Sequence, residues 1–184
     1  MPFHKTDIAG LLIFEPHAFE DSRGYFFESY NEKIFREAGI DFRWVQDNQS
    51  SSDYGVIRGL HYQLSPFAQS KLVRVLRGKI LDVVVDIRTG SPTFGKSYCK
   101  VLSAKNKRQL FIPKGFAHGF SVLSEKTEVL YKCDDYYNKE SEAGIIYNDP
   151  ELKIDWRIPA KEAIISDKDK GLPTLAHCNN SFEF

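Results

Sequence analysis

The run Lys79-Ile-Leu-Asp-Val-Val-Val-Asp-Ile87 constrains the fold of this chain more than any other stretch. It has the period of two expected of a β-strand, with Leu81, Val83, Val85 and Ile87 on one face and Ile80, Asp82, Val84 and Asp86 on the other. Carboxylates on a strand otherwise this apolar point to a polar lumen, since buried charge needs partners; an ordinary half-exposed strand is the other reading. Arg77-Gly78 separates this run from Lys71-Leu-Val-Arg-Val-Leu76, which predicts a β-hairpin with glycine supplying a positive φ.

Further strands are expected at Leu11 to Phe14, Gly24 to Glu28, Phe42 to Val45, Tyr98 to Leu102, Gln109 to Ile112, Gly119 to Leu123, Thr127 to Lys132 and Gly144 to Tyr147. Turn signals such as Ser91-Pro92 and Asn148-Asp-Pro150 separate them. One short helix is expected at Glu32 to Ala38, capped by Asn31 and stopped by Gly39. Many short strands with almost no helix predict an all-β sandwich or barrel. At 184 residues without a repeat or linker, a single domain over residues 1–184 is expected.

Equal counts of Lys+Arg and Asp+Glu, 25 each, leave no net field to attract nucleic acid or an anionic membrane, so neither is an expected partner. Anion recognition then falls to a few placed cations. Three widely spaced cysteines, Cys99, Cys133 and Cys178, form no CxxC pair, which argues against a disulfide framework and a zinc site and for a cytoplasmic setting. The apolar run Ile8 to Phe14 is too short to span a bilayer.

The stretch Gly55-Val-Ile-Arg-Gly-Leu-His-Tyr-Gln63 sets a potential base, His61, three residues after an obligate cation, Arg58, a spacing suited to proton abstraction from an anionic substrate. In an extended segment His61 and Gln63 share a face, and Arg58 points the other way or precedes a bend at Gly59. A strand ending in a core histidine is the competing reading. A second motif, Ile112-Pro-Lys-Gly-Phe-Ala-His-Gly-Phe120, carries His118 and resembles the second half-motif of cupins. A metal-binding cupin would bring an HxH pair followed by Glu, whereas this chain has His61-x-Gln63 with Lys71 following, so a metal site is disfavoured.

Five stretches in order, Phe19 to Glu28, Val45 to Ser50, Val56 to His61, Ser91 to Gly95 and Pro113 to Phe120, resemble the dTDP-4-dehydrorhamnose 3,5-epimerase family. Tyr131-Lys132, Tyr136-Tyr137, Asn148-Asp149 and Ser166-Asp-Lys-Asp169 extend the resemblance from about residue 5 to residue 173. It implies a cupin-type double-stranded β-helix, or jelly roll, with short peripheral helices. It also implies conversion of dTDP-4-dehydro-6-deoxy-D-glucose to dTDP-4-dehydro-L-rhamnose without metal or redox cofactor. A 4-keto group acidifies the protons of both flanking carbons, so a base, an acid and an enolate stabiliser suffice.

By this resemblance His61 is the base, Asp169 orients it, Tyr131 is the acid on the opposite face, and Lys71 and His118 stabilise the enolate oxygen. Arg23 and Arg58 match phosphate contacts, Glu28, Gln46 and Asn48 contacts to thymine and its neighbours, and Tyr137 the aromatic stacked on the base. Glu142 and Lys168 fall at further binding positions, and a homodimer is implied in which some of these residues come from the partner. Asp82 is expected to position Lys71. Without the resemblance, Asp169 is a solvated residue of a charged run, Tyr131 a core aromatic, and Arg23 with Glu28 an edge-strand charge pair.

A relative inverting only one carbon, a metal-dependent cupin oxygenase and a non-catalytic sugar-nucleotide-binding module are the competing functions. A reductase is disfavoured by the lack of a GxGxxG loop. The tail after Leu175 matches nothing assignable, and either packs or frays.

Overall fold

Alternation of the kind seen in Lys79 to Ile87 recurs through the structure, a computed structural model that describes residues 2–184. Its elements are β1 (Phe3–Lys5), β2 (Leu12–Phe14), β3 (Phe19–Asp21), β4 (Gly24–Phe26), α1 (Glu32–Glu37), β5 (Gln46–Asp53), β6 (Ile57–Gln63) and β7 (Lys71–Arg77). There follow β8 (Lys79–Asp86), β9 (Ser97–Ser103), β10 (Gln109–Ile112), β11 (Phe116–Val122), β12 (Lys126–Cys133), β13 (Glu142–Gly144) and α2 (Asp167–Lys170). Two antiparallel sheets face each other, one ordered β1-β2-β10-β7-β12-β5 and the other β13-β6-β11-β8-β9. This is the jelly roll expected from sequence. Among the described residues no helix is long and apolar enough to cross a membrane.

Three apolar layers hold the sheets. Val73, Val84, Leu110, Phe120 and Val129 pack between them. Leu81, Val83, Val85 and Ile87 turn to the outer face of the five-stranded sheet, where Ile145, Trp156, Leu175 and Phe182 cover them. Phe35 of α1, capped by the Asn31 side chain as expected, seals the outer face of the six-stranded sheet with Phe14, Leu72 and Phe111.

Three strand expectations are corrected, the first being Gly144 to Tyr147, where the strand is instead Glu142–Gly144. Lys71–Arg77 and Lys79–Asp86 are strands, but they belong to different sheets and do not pair as a hairpin. Gly78, at φ +78°, turns a corner between the sheets; a Cβ there would lie 2.3 Å from Lys126 O, so β12 packs too close for a side chain. Phe42 to Val45 forms no strand, and Phe42 and Trp44 serve as packing against the Phe35 layer. The polar run Gln46–Asp53, read only as a motif, pairs with β12 along its whole length.

Asp86 ends β8, opposite Phe116 on β11. Its buried carboxylate accepts from Arg88 Nε and Nη2 at 2.9 and 2.7 Å and from the Ser91 and Thr93 hydroxyls at 2.6 Å each. The guanidinium lies between the Phe116 and Phe184 rings, 4.4 and 4.8 Å from their centroids. The C-terminal tail therefore packs: Thr89 N donates to Phe182 O and Phe184 N to Thr89 O. Burial raises the Asp86 carboxyl, but Arg88, Ser91 and Thr93 outweigh it and hold it at about 2 against an ordinary 3.8. Between those values the unfolded chain binds more protons, so stability rises with pH there and is lost as pH falls through the window. Urea melts of Asp86→Asn should show lower stability at neutral pH and a shallower loss between about pH 4 and 2; a slope equal to wild type would contradict this role.

Candidate active site

The register of β6 against β11 decides where Arg58 and His61 point. His118 lies opposite His61, yet Phe120 lies opposite Arg58, so β6 carries one residue more than β11 between the two pairs. That bulge falls at Gly59 and resets the alternation, bringing Arg58 onto the lumen face with His61 and Gln63 while Ile57, Leu60 and Tyr62 face the outer layer. The bend before His61, one of two options from sequence, is the one realised. Close backbone approach makes it feasible: a Cβ on Gly59, at φ +116°, would sit 2.6 Å from Gly119 Cα.

The lumen opens into a cavity of about 610 Å³. Gln46, Asn48, Lys71 and Tyr131 line it from the six-stranded sheet, and Arg58, His61, His118 and Glu142 from the other. Tyr137, Lys168 and Asp169 complete the wall. Arg23 and Glu28 do not reach it in this chain. Arg23, on the exposed turn of the β3–β4 pair, chelates Asp21, and Glu28 accepts from Asn31 Nδ2 at 3.1 Å beside a second cavity.

Asp169 is carried to the lumen by α2. Ile164 pairs with Val56 beside the start of β6, and Ser166 then caps α2 by accepting from Asp169 N at 3.1 Å. One carboxylate oxygen meets His61 Nε2 at 2.8 Å and the other accepts from Gly59 N at 3.1 Å. Burial raises this carboxyl, but the His61 ring, the Gly59 N–H and Ser166 together leave it below its ordinary value. It therefore holds a proton on Nε2 and leaves Nδ1 with a free lone pair. The charged run hid Asp169; the Ser166-x-x-Asp169 cap, not read from sequence, was the signal that turns it inward.

A second pair lies next to the first. His118 Nε2 and Asp82 Oδ1 are 2.5 Å apart and both residues are buried, so Asp82 serves His118 and not Lys71 as expected. Asp82 does face a polar lumen, as the alternation of β8 indicated. Lys71 is buried; its Nζ donates to His61 O at 3.4 Å, and desolvation lowers its pKa, with Cys133, Asp82 and Glu142 opposing. Burial raises the Tyr131 phenol, so it keeps its proton at neutral pH. At the rim Tyr137 Oη donates to Glu142 at 2.9 Å, and Lys168 Nζ pairs with the same carboxylate at 2.6 Å. Among the described residues no three His, Cys, Asp or Glu side chains are grouped to hold a metal ion.

Imidazole, phenol and ammonium gathered in the lumen of a jelly roll, with carboxylates behind both histidines, define an acid–base enzyme of the cupin class. A family model described as dTDP-4-dehydrorhamnose 3,5-epimerase matches residues 5–177. The chain belongs to the dTDP-4-dehydrorhamnose 3,5-epimerase family, whose members are isomerases. It is 55% identical to the Shigella flexneri dTDP-4-dehydrorhamnose 3,5-epimerase over 90% of this chain and 91% of that one. The dTDP-6-deoxy-D-glucose-3,5-epimerase of Legionella pneumophila, solved with dTDP-4-keto-L-rhamnose, superposes with a TM-score of 0.91 at 51% identity, covering 95% and 93% of the two chains. A 3'-monoepimerase from Streptomyces bikiniensis, solved with dTDP-quinovose, gives 0.88 at 35% identity over 94% and 87%.

Gly59→Ala should destabilise the fold by about 2–5 kcal/mol, since it combines a strained positive φ with backbone overlap. An unchanged denaturant midpoint would show that the β6–β11 approach is not required.

Proposed function

We propose that this chain inverts carbons 3 and 5 of dTDP-4-dehydro-6-deoxy-D-glucose, with His61 as base and Tyr131 as acid. The observation that carries the reading is their placement: His61 on β6 and Tyr131 on β12 line one cavity from opposite sheets. Inversion needs removal of a proton on one face of a carbon and delivery on the other.

His61 Nδ1 takes the proton of a carbon beside the ketone, and the C–H electrons move into a carbon–carbon double bond, leaving negative charge on the former carbonyl oxygen. Lys71 supplies N–H donors for that oxygen, and His118, whose Nε2–H is given to Asp82, lines the lumen beside it. The double-bond electrons then take the Tyr131 proton on the opposite face and the ketone reforms. His61 and Tyr131 exchange protons with water before the second carbon is processed. Asp169 and Asp82 act through the two histidines they hold.

At the rim, Arg58 offers its guanidinium to the diphosphate, and Gln46, Asn48, Tyr137, Glu142 and Lys168 receive the nucleoside end. Arg23 and Glu28 serve a second copy of the chain. The β3–β4 pair that leads to them exposes Phe19, Tyr25 and Phe26 at 62%, 59% and 68%, an apolar surface suited to a homodimer contact. The unpaired cysteines accord with a reducing cytoplasm.

Incubation with substrate in deuterated water, followed by NMR, tests the reaction. Deuterium at carbons 3 and 5 is expected; label at one carbon would instead favour single-centre inversion, and none would sink both. His61→Ala should abolish exchange, Tyr131→Phe should keep some exchange without completing inversion, and Asp169→Asn should cut turnover about 10²–10⁴-fold with the fold intact. Wild-type turnover in any of the three would remove that residue's role.

A further inference from the structure

Gln63 stands where a metal-binding cupin would place a second histidine, and none of the roles above uses it. It is buried, at 4% exposure, and both N–H groups and the oxygen of its amide are bonded. Nε2 donates to Phe67 O at 2.6 Å and Tyr136 O at 3.1 Å, while Oε1 accepts from Asn138 N at 2.7 Å. These partners lie on two rim segments, the one after β6 and the one between β12 and β13.

The next amide in the second segment, Tyr137 N, donates to Gln46 Oε1 at 2.9 Å. Gln46 begins β5 in the six-stranded sheet and Gln63 ends β6 in the five-stranded sheet. Two glutamine side chains, one from each sheet, thus hold consecutive backbone N–H groups across the barrel mouth. Little packing holds the residue between them: Tyr137 is 55% exposed, and its hydroxyl bond to Glu142 is its other anchor.

We propose that Gln63 is a positioning residue that presets Tyr137 for the nucleoside end of the substrate. An exposed aromatic on a rim segment loses conformational entropy when a ligand orders it, and a segment already clamped loses less. The clamp therefore acts on binding and not on proton transfer, which takes place deeper, between His61 and Tyr131. This inference rests on the assignment of Tyr137 to the nucleotide.

Gln63→Met keeps the side-chain length and removes all three hydrogen bonds. Calorimetry with dTDP and steady-state turnover should show Kd and KM raised about tenfold with kcat within about twofold, because binding common to ground and transition states is lost. In a Tyr137→Ala background the same substitution should change Kd less than about twofold, since the ring it positions is gone. Wild-type dTDP affinity in Gln63→Met, or an equal effect in both backgrounds, would overturn the proposal. Should Gln63→Met fail to fold, hydrogen exchange on the wild type decides: a protected Asn138 amide supports the clamp, and exchange at the free-loop rate refutes it. A wild type that neither binds dTDP nor exchanges substrate protons would remove the functional reading; one that does both beside an unaffected Gln63→Met would remove this inference alone.

Discussion

The Asp169 carboxylate, reaching Gly59 N and His61 Nε2 at once, is the contact on which the rest of the site depends. It spans both sides of the β6 bulge. A bulge leaves a backbone N–H without its ladder partner, and an orphaned buried N–H costs roughly 1–3 kcal/mol. Asp169 satisfies that group with one oxygen and spends the other on the histidine. The feature that turns Arg58 into the lumen beside His61 is therefore secured by the residue that sets the histidine tautomer, and shape and chemistry are coupled through one carboxylate.

That coupling explains the long segment after β13. Residues 145–182 form no third sheet; they cover the outer apolar face of the five-stranded sheet through Ile145, Leu152, Trp156, Leu175 and Phe182. Trp156 Nε1 donates to Tyr147 O and Ser121 Oγ to Trp156 O, anchoring the wrap to itself and to β11. Ile57 N and Ile164 O then meet at 3.0 Å at the start of β6, which leaves α2 the short reach to Gly59 and His61. Hydrophobic burial along the wrap delivers Asp169 to the lumen, with Lys168 beside it at the rim.

Much of this was legible in the residues. Period-two alternation located β8, and the carboxylates on its second face announced a polar lumen. Asn31 and Gly39 bounded α1. What misled was locality: Lys71 to Ile87 has the spacing of a hairpin, but whether a glycine corner joins neighbours in one sheet or crosses to another depends on what packs against it, here β12 at Gly78. Phe42 to Val45 has the apolar content of a strand and spends it on the Phe35 layer. The polar run Gln46–Asp53 lacks strand-like residues because half of it faces the cavity and half faces solvent.

The partners of charged groups were least legible, since they come from distant parts of the chain. Asp82, expected beside Lys71, lies against His118 because β8 and β11 are neighbours. Asp169 lies 108 residues from His61 and was visible only through family resemblance. The central claim is that Asp169 holds the proton on Nε2 and makes Nδ1 the base. Nitrogen-15 NMR of the His61 ring tests it most directly: the account predicts a neutral ring protonated at Nε2, changed in Asp169→Asn. A ring protonated at Nδ1, indifferent to that substitution, would contradict it.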